Sequence, residues 1–143
     1  MPSLLDQELA EANAELAYFA KASANASFFL GMSALFAVAT PVILGLLHAL
    51  QPASFEEGLV LCAILVPAWA AYGCWWHIRA SRAFEAVRTR GVKLERSGFS
   101  VYVRPDSVQP TLAATATAEA VAQGQKSLDF GRLTQRALRT SLN

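Results

Sequence analysis

Charge is scarce in this sequence, and what it lacks is concentrated in its first half. Only 16% of its 143 residues are charged and 54% are apolar, with a positive mean hydropathy of +0.32. From Ala22 to Phe55 there is no Asp, Glu, Lys or Arg, and from Gly58 to Ile78 there is none either. That distribution excludes an ordinary water-facing surface over either run. Residues 27–50, "SFFLGMSALFAVATPVILGLLHAL", would be about 36 Å long as a helix, and residues 58–78 about 31 Å, against a hydrocarbon core of about 30 Å. Hiding two such helices in a soluble core would need a larger surrounding fold than 143 residues supply.

Other absences narrow the chemistry. Cys62 and Cys74 are the only cysteines. One predicted helix holds both, about 18 Å apart, so they cannot bond to each other and read as small apolar residues. The chain has no Gly-rich phosphate loop, no C-x-x-C pair, no H-E-x-x-H and no nucleophile elbow. No catalytic residue, cofactor-binding residue or metal ligand is therefore assigned, and no small-molecule substrate is expected. The two histidines, His48 and His77, fall near opposite ends of the spans, so one haem, chlorophyll or metal could not use both; either alone could serve as an axial ligand. The opening "MPSLLDQELAEANAELAY" lacks a basic n-region, a small-residue cleavage site and the Arg-rich look of a transit peptide, so the first span is expected to act as its own insertion signal.

Where charge is present, it is ordered. Residues 1–26 hold four acids and one lysine, the 51–57 turn two acids, and residues 79–143 eleven bases and five acids, for nets of −3, −2 and +6. Arg79, Arg82, Arg88, Arg90, Lys93 and Arg96 follow the second span closely, where the positive-inside bias acts. Both termini are expected on the cytoplasmic or matrix side, with a mitochondrial inner membrane favoured over a bacterial one. The tail's bases alternate with Glu85, Glu95, Asp106, Glu119 and Asp129, and no nucleic-acid partner is expected.

"GCWWHIRASR" marks a boundary between solvents. Tyr72, Trp75 and Trp76 suit headgroup depth, and His77, Arg79 and Arg82 suit the phosphates beyond it, so the six are read as lipid and interface anchors. Ahead of the first span, Leu5, Leu9, Leu16 and Phe19 form an apolar seam opposite Asp6, Glu8, Glu11 and Glu15. Its acidic face disfavours anionic lipid, so the seam is expected to dock on another protein. Ser3 with Asp6 is a start signal, and no Gly or Pro interrupts residues 3–30, so this helix can run on into the span.

Ser54 with Glu57 forms a capping box for the second span, making the two spans an antiparallel hairpin. With Ser54 as midpoint, Gly45 faces Ala63, Pro41 faces Pro67 and Ala37 faces Ala71, and these six are expected to pack the helices closely. Thr40 or the facing helix is a candidate partner for the carbonyls that the prolines release. Beyond Arg79 a helix is expected to Gly91, then a brief strand-like alternation in "FSVYVRPDSVQP" closing at Pro105-Asp106. An alanine-rich helix or linker, "TLAATATAEAVAQ", follows, and the chain closes in a weak basic amphipathic helix.

The resulting expectation is an all-α membrane protein: an N-terminal amphipathic helix (1–26), transmembrane helices at 27–50 and 58–78 joined by a turn (51–57), and an extended, partly helical basic arm (79–143). Its expected role is a non-catalytic accessory or structural subunit of a larger membrane complex, a respiratory-chain or ATP-synthase assembly, with other subunits and membrane lipids as partners. The alternative is a self-assembling two-span channel or holin-like protein.

Overall fold

The computed structural model describes residues 3–51, 55–104 and 110–142. The elements are α1 (Leu4–Leu50), α2 (Phe55–Arg96), β1 (Phe99–Arg104), β2 (Thr111–Ala116), α3 (Thr117–Ala122) and α4 (Gln135–Leu142). They divide into two compact units: one combines Met1–Lys21 with Arg79–Asn143, the other is Ala22–Ile78. The expected capping box at Ser54 and the turn at Pro105-Asp106 lie outside the described residues.

α1 begins where Ser3 and Asp6 satisfy each other. The Asp6 amide donates to Ser3 Oγ at 3.1 Å and the Ser3 amide to Asp6 Oδ2 at 3.1 Å. The Ser3 hydroxyl, donating to Asp6 Oδ2 at 2.7 Å, and after it the Ser3 amide stabilise the ionised carboxyl, so Asp6 titrates below the ordinary aspartate range. The N-terminal helix and the first apolar run are one uninterrupted α1, as the lack of an early breaker predicts.

In the central unit the parts of α1 and α2 lie against each other with opposite chain sense. Leu30 meets Gly73, Ser33 Oγ donates to the Val66 carbonyl at 3.2 Å, and Leu47 meets Gly58. The register differs from the one centred on Ser54. Gly45, Ala37 and Ala71 are exposed, and a Cβ on Gly45 would meet nothing within 4 Å. The close approaches belong to Gly73, where a Cβ would come to 2.8 Å from Leu30, and to Gly58. The physical reason is the length of the helices: α1 stops at Leu50 and α2 starts at Phe55, which puts the turn's centre ahead of Ser54. Thr40 donates to the Phe36 carbonyl at 2.6 Å, leaving the Ala37 carbonyl that Pro41 releases to other partners.

The other unit is built from both ends of the chain. Leu16 and Phe19 of the seam are fully buried, while Leu5 and Leu9 are half-buried. Phe19 packs on Phe84 of α2 with ring centroids 6.0 Å apart. Ala83, Val87, Leu94, Val101, Leu112, Phe130 and Leu138 are buried with them. The cover that the seam needs is thus supplied within the chain.

The region after α2 is a folded part of this unit, and it contains a sheet that the all-α expectation omits. Gly98, at φ +86°, reverses the chain after α2. β1 then pairs antiparallel with β2, from Phe99 opposite Ala116 to Arg104 opposite Thr111. "TLAATA", expected as helix or linker, is β2. Its outer edge is stopped by Asn13 of α1, whose side-chain amide donates to the Leu112 carbonyl at 3.1 Å and accepts the Leu112 amide at 2.5 Å. On the other edge, the Leu128 amide donates to the Val101 carbonyl at 2.8 Å. A two-stranded ribbon alone is marginal in water, and these side bonds with the packing beneath hold it.

Phe130 is the key closing residue of the tail. Its ring is fully buried against Gly91, its amide donates to Glu95 Oε1 at 3.0 Å, and its carbonyl accepts from Arg88 Nε at 3.2 Å. A Cβ on Gly91 would overlap the ring itself, which has no room to retreat. Gly91→Ala should therefore destabilise the unit by about 1–3 kcal/mol despite alanine's better helix propensity. Phe130→Ala should cost about 3–5 kcal/mol. With Phe130→Ala already in place, adding Gly91→Ala should be neutral or favourable, which protease cleavage of the tail against urea would show; additive losses would contradict the packing.

Candidate membrane interface

The expected anchors sit in succession along α2. In the central unit, Tyr72 and Trp75 are exposed and stack with centroids 5.6 Å apart at 12°, while Trp76 meets Trp75 edge-on at 5.0 Å. They extend into a cluster that the sequence reading missed. Phe29 meets Tyr72 at 4.6 Å and Trp69 at 5.4 Å, and Phe36 reaches Trp69 at 5.9 Å. The missed signal was the spacing of Trp69, Tyr72 and Trp76, which puts three aromatics on one helix face. Trp76 Nε1 is buried with no hydrogen-bond partner, and His77 is exposed.

Beyond Ile78 the cations belong to the unit formed by the chain's ends. Arg79 Nη1 donates to the Tyr18 hydroxyl at 3.1 Å, which ties α2 to α1 at that level. Arg82 is exposed. The order of aromatic rings followed by cations, read from "GCWWHIRASR", is thus carried on an uninterrupted helix, since α2 continues to Arg96. Its phenols and indoles tolerate both polar and apolar surroundings.

Of the residues expected to pack the spans, Ala37, Ala63 and Pro67 line a shallow groove of about 380 Å³ with Thr40 and Cys62. His48 stacks edge-on against Phe55 at 5.1 Å. Among the described residues, no three His, Cys, Asp or Glu side chains gather closely enough to hold a metal ion.

An ionic cluster locks the N-terminal seam in place. Glu8 bonds Lys93 through Oε1 and Arg90 Nη1 through Oε2 at 3.0 Å, and Arg90 reaches Glu11 at 2.6 Å. Two acids of the face that argues against anionic lipid, Glu8 and Glu11, are thus turned to α2's own bases. The Lys93 hydrogen bond, aided by the charges of Lys93 and Arg90, holds the Glu8 carboxyl below its ordinary value of 4.5, against a smaller opposing effect of partial burial. Comparison with protein-family models, curated proteins and solved structures finds no match to this chain.

A carboxyl whose folded value is depressed stabilises the fold fully above 4.5, and that stabilisation is lost as pH falls through the lowered value. Resistance of the N-terminal arm to protease in urea should therefore be unaffected by Glu8 titration down to pH 4.5, then fall more steeply in the wild type than in Glu8→Gln. Parallel acid limbs in the two proteins would show that the cluster contributes nothing.

Proposed function

We propose that the chain is an integral membrane protein crossing the bilayer twice as a helical hairpin, with both ends on the cytoplasmic or matrix side, and that it serves as a non-catalytic structural subunit of a larger membrane assembly. One observation carries the topology. Residues 1–21 and 79–143 form a single compact unit, tied by Glu8 to Lys93, Asn13 to Leu112 and Tyr18 to Arg79, which supports both flanks of the apolar runs lying on one side. The positive-inside bias of the tail favours the cytoplasmic or matrix side.

Insertion is supported by the state of the runs. Two helices are long and apolar enough to cross a membrane, and only 6% of the most apolar stretch of each is buried. A core helix of a soluble protein would be mostly covered. Leu35, Val38, Val42, Leu46, Val60 and Ile64 are all exposed, a lining suited to lipid tails.

The subunit role is supported by the groove at Ala37, Thr40, Cys62 and Ala63. Small residues in lipid let another helix approach closely, and here they face outward rather than packing the hairpin. An energy-transducing assembly of the respiratory-chain or ATP-synthase kind is the proposed setting. The same groove supports a second reading, a self-assembling two-span channel, if its occupant is another copy.

Purification in mild detergent tests the role. The proposal expects several different proteins at fixed ratio, and Ala37→Leu with Ala63→Leu should fill the groove and release the chain from them. A single-species ring would favour the channel instead. Gly73→Leu serves as the contrast: it collides with Leu30, so it should destabilise the hairpin itself and not only its assembly.

A further inference from the structure

Each long helix of the central unit contains one proline, Pro41 in α1 and Pro67 in α2. A proline has no amide hydrogen, so the carbonyls four residues earlier, those of Ala37 and Ala63, lose their helical donor. Ala37, Ala63 and Pro67 line one groove of about 380 Å³, together with Thr40 and Cys62. A helical carbonyl lies on the side of its own residue and points toward the amide four positions on, so both released acceptors belong to that groove. The Thr40 hydroxyl does not meet them, because it donates to the Phe36 carbonyl at 2.6 Å.

Acceptors of this kind have a definite chemical need. Lipid tails carry no donor and an unpaired carbonyl in hydrocarbon is costly, so a segment covering the groove is favoured when it brings an N–H or O–H. The small side chains of Ala37 and Ala63 let a helix backbone approach. A second copy of this chain has little to offer there. In the stretches 28–47 and 58–71 the side-chain donors are Ser33, Thr40, Cys62 and Trp69. Ser33 and Thr40 already donate to carbonyls of their own chain, those of Val66 and Phe36. The Trp69 ring is packed among Phe28, Phe29 and Phe36, and a thiol such as that of Cys62 is a weak donor.

We infer that the groove binds a transmembrane helix of a different protein that carries an amide or hydroxyl side chain, and that this side chain donates to the carbonyls released by Pro41 and Pro67. The inference rests on the membrane and subunit readings above and adds the partner's chemistry to them. Hydrogen-bond complementarity selects the occupant: two acceptors with no lipid donor, in a groove shallow enough for a helix to lie against. An asparagine or glutamine side chain brings two N–H donors, and a serine or threonine brings one. The prolines, which weaken each helix taken alone, are thereby part of the recognition surface.

The test uses the full chain with Cys62→Ala and Cys74→Ala, carrying a fluorophore on Gln51→Cys, in phosphatidylcholine vesicles. The probe is a synthetic leucine-alanine transmembrane helix with a second fluorophore, bearing one central asparagine or an alanine in its place. Energy transfer should show the asparagine helix binding about three- to tenfold more tightly than the alanine helix, the range for one interhelical hydrogen bond. Pro41→Ala with Pro67→Ala returns both amides to the helices, so it should erase that preference while helix content and membrane retention are kept. Ala37→Leu should weaken both probes. Equal binding of the two probes, or a preference that survives the double proline replacement, would overturn the inference and leave the subunit role standing. Energy transfer between differently labelled copies of the chain, abolished by the same proline replacements, would give the groove to a second copy and overturn it as well. A chain stripped from the vesicles by alkaline carbonate would overturn the membrane reading, and the helix partner with it.

Discussion

Only 6% of the most apolar stretch of each long helix is buried by the chain, and that uncovered apolar surface is the constraint around which the rest of the structure is arranged. Removing apolar surface from water is worth about 25 cal/mol per Å², so a face bearing Leu35, Val38, Val42, Ile64 and their neighbours exposed to water would carry a cost that a few hydrogen bonds could not offset. Close packing between the helices of the central unit includes Gly73 on Leu30, Gly58 on Leu47, Ser33 on Val66 and the rings of Phe29 and Phe36 on Trp69. Helices in hydrocarbon associate through small residues and interhelical bonds and not through water exclusion, and the glycine and serine contacts here are of that kind.

The opposite solution holds the other unit together. There the N-terminal part of α1 and the C-terminal half of α2 bury Leu16, Phe19, Phe84 and Val87, and the tail closes over them with Phe130 and Leu138. Polar groups at the edges of that core are matched in kind: the Glu8 and Glu11 carboxylates meet Arg90 and Lys93, and the Asn13 amide meets a strand edge as if it were backbone. The two flanks of the apolar runs are thereby bound to each other in one compact unit.

Much of this was legible in the sequence where the cause is local. The start at Ser3 and Asp6, the unbroken α1, the two apolar runs and the order of rings and arginines at 72–82 all follow from neighbours within a turn of helix. The strand at Phe99–Arg104 was visible in the alternation of "FSVYVR". Its partner was not, because "TLAATA" is poor in strand formers and is held by Asn13, nearly a hundred positions earlier in the chain. Nor was it visible that the seam and the tail cover each other, since complementarity between Phe19 and Phe84, or Gly91 and Phe130, is a long-range property of the fold. The helix register failed for a simpler reason: a symmetric turn was centred on Ser54, and the helix ends at Leu50 and Phe55 centre it earlier.

The central claim is that the two ends lie together on one side of a membrane and the link between the helices lies on the other. Single cysteines at Gln7, Gln51 and Thr140, each exposed, placed in a chain carrying Cys62→Ala and Cys74→Ala, test it with a reagent that cannot cross the bilayer. In sealed vesicles Gln7→Cys and Thr140→Cys should react from one side and Gln51→Cys only from the other. Reaction of all three from the same side would contradict the account.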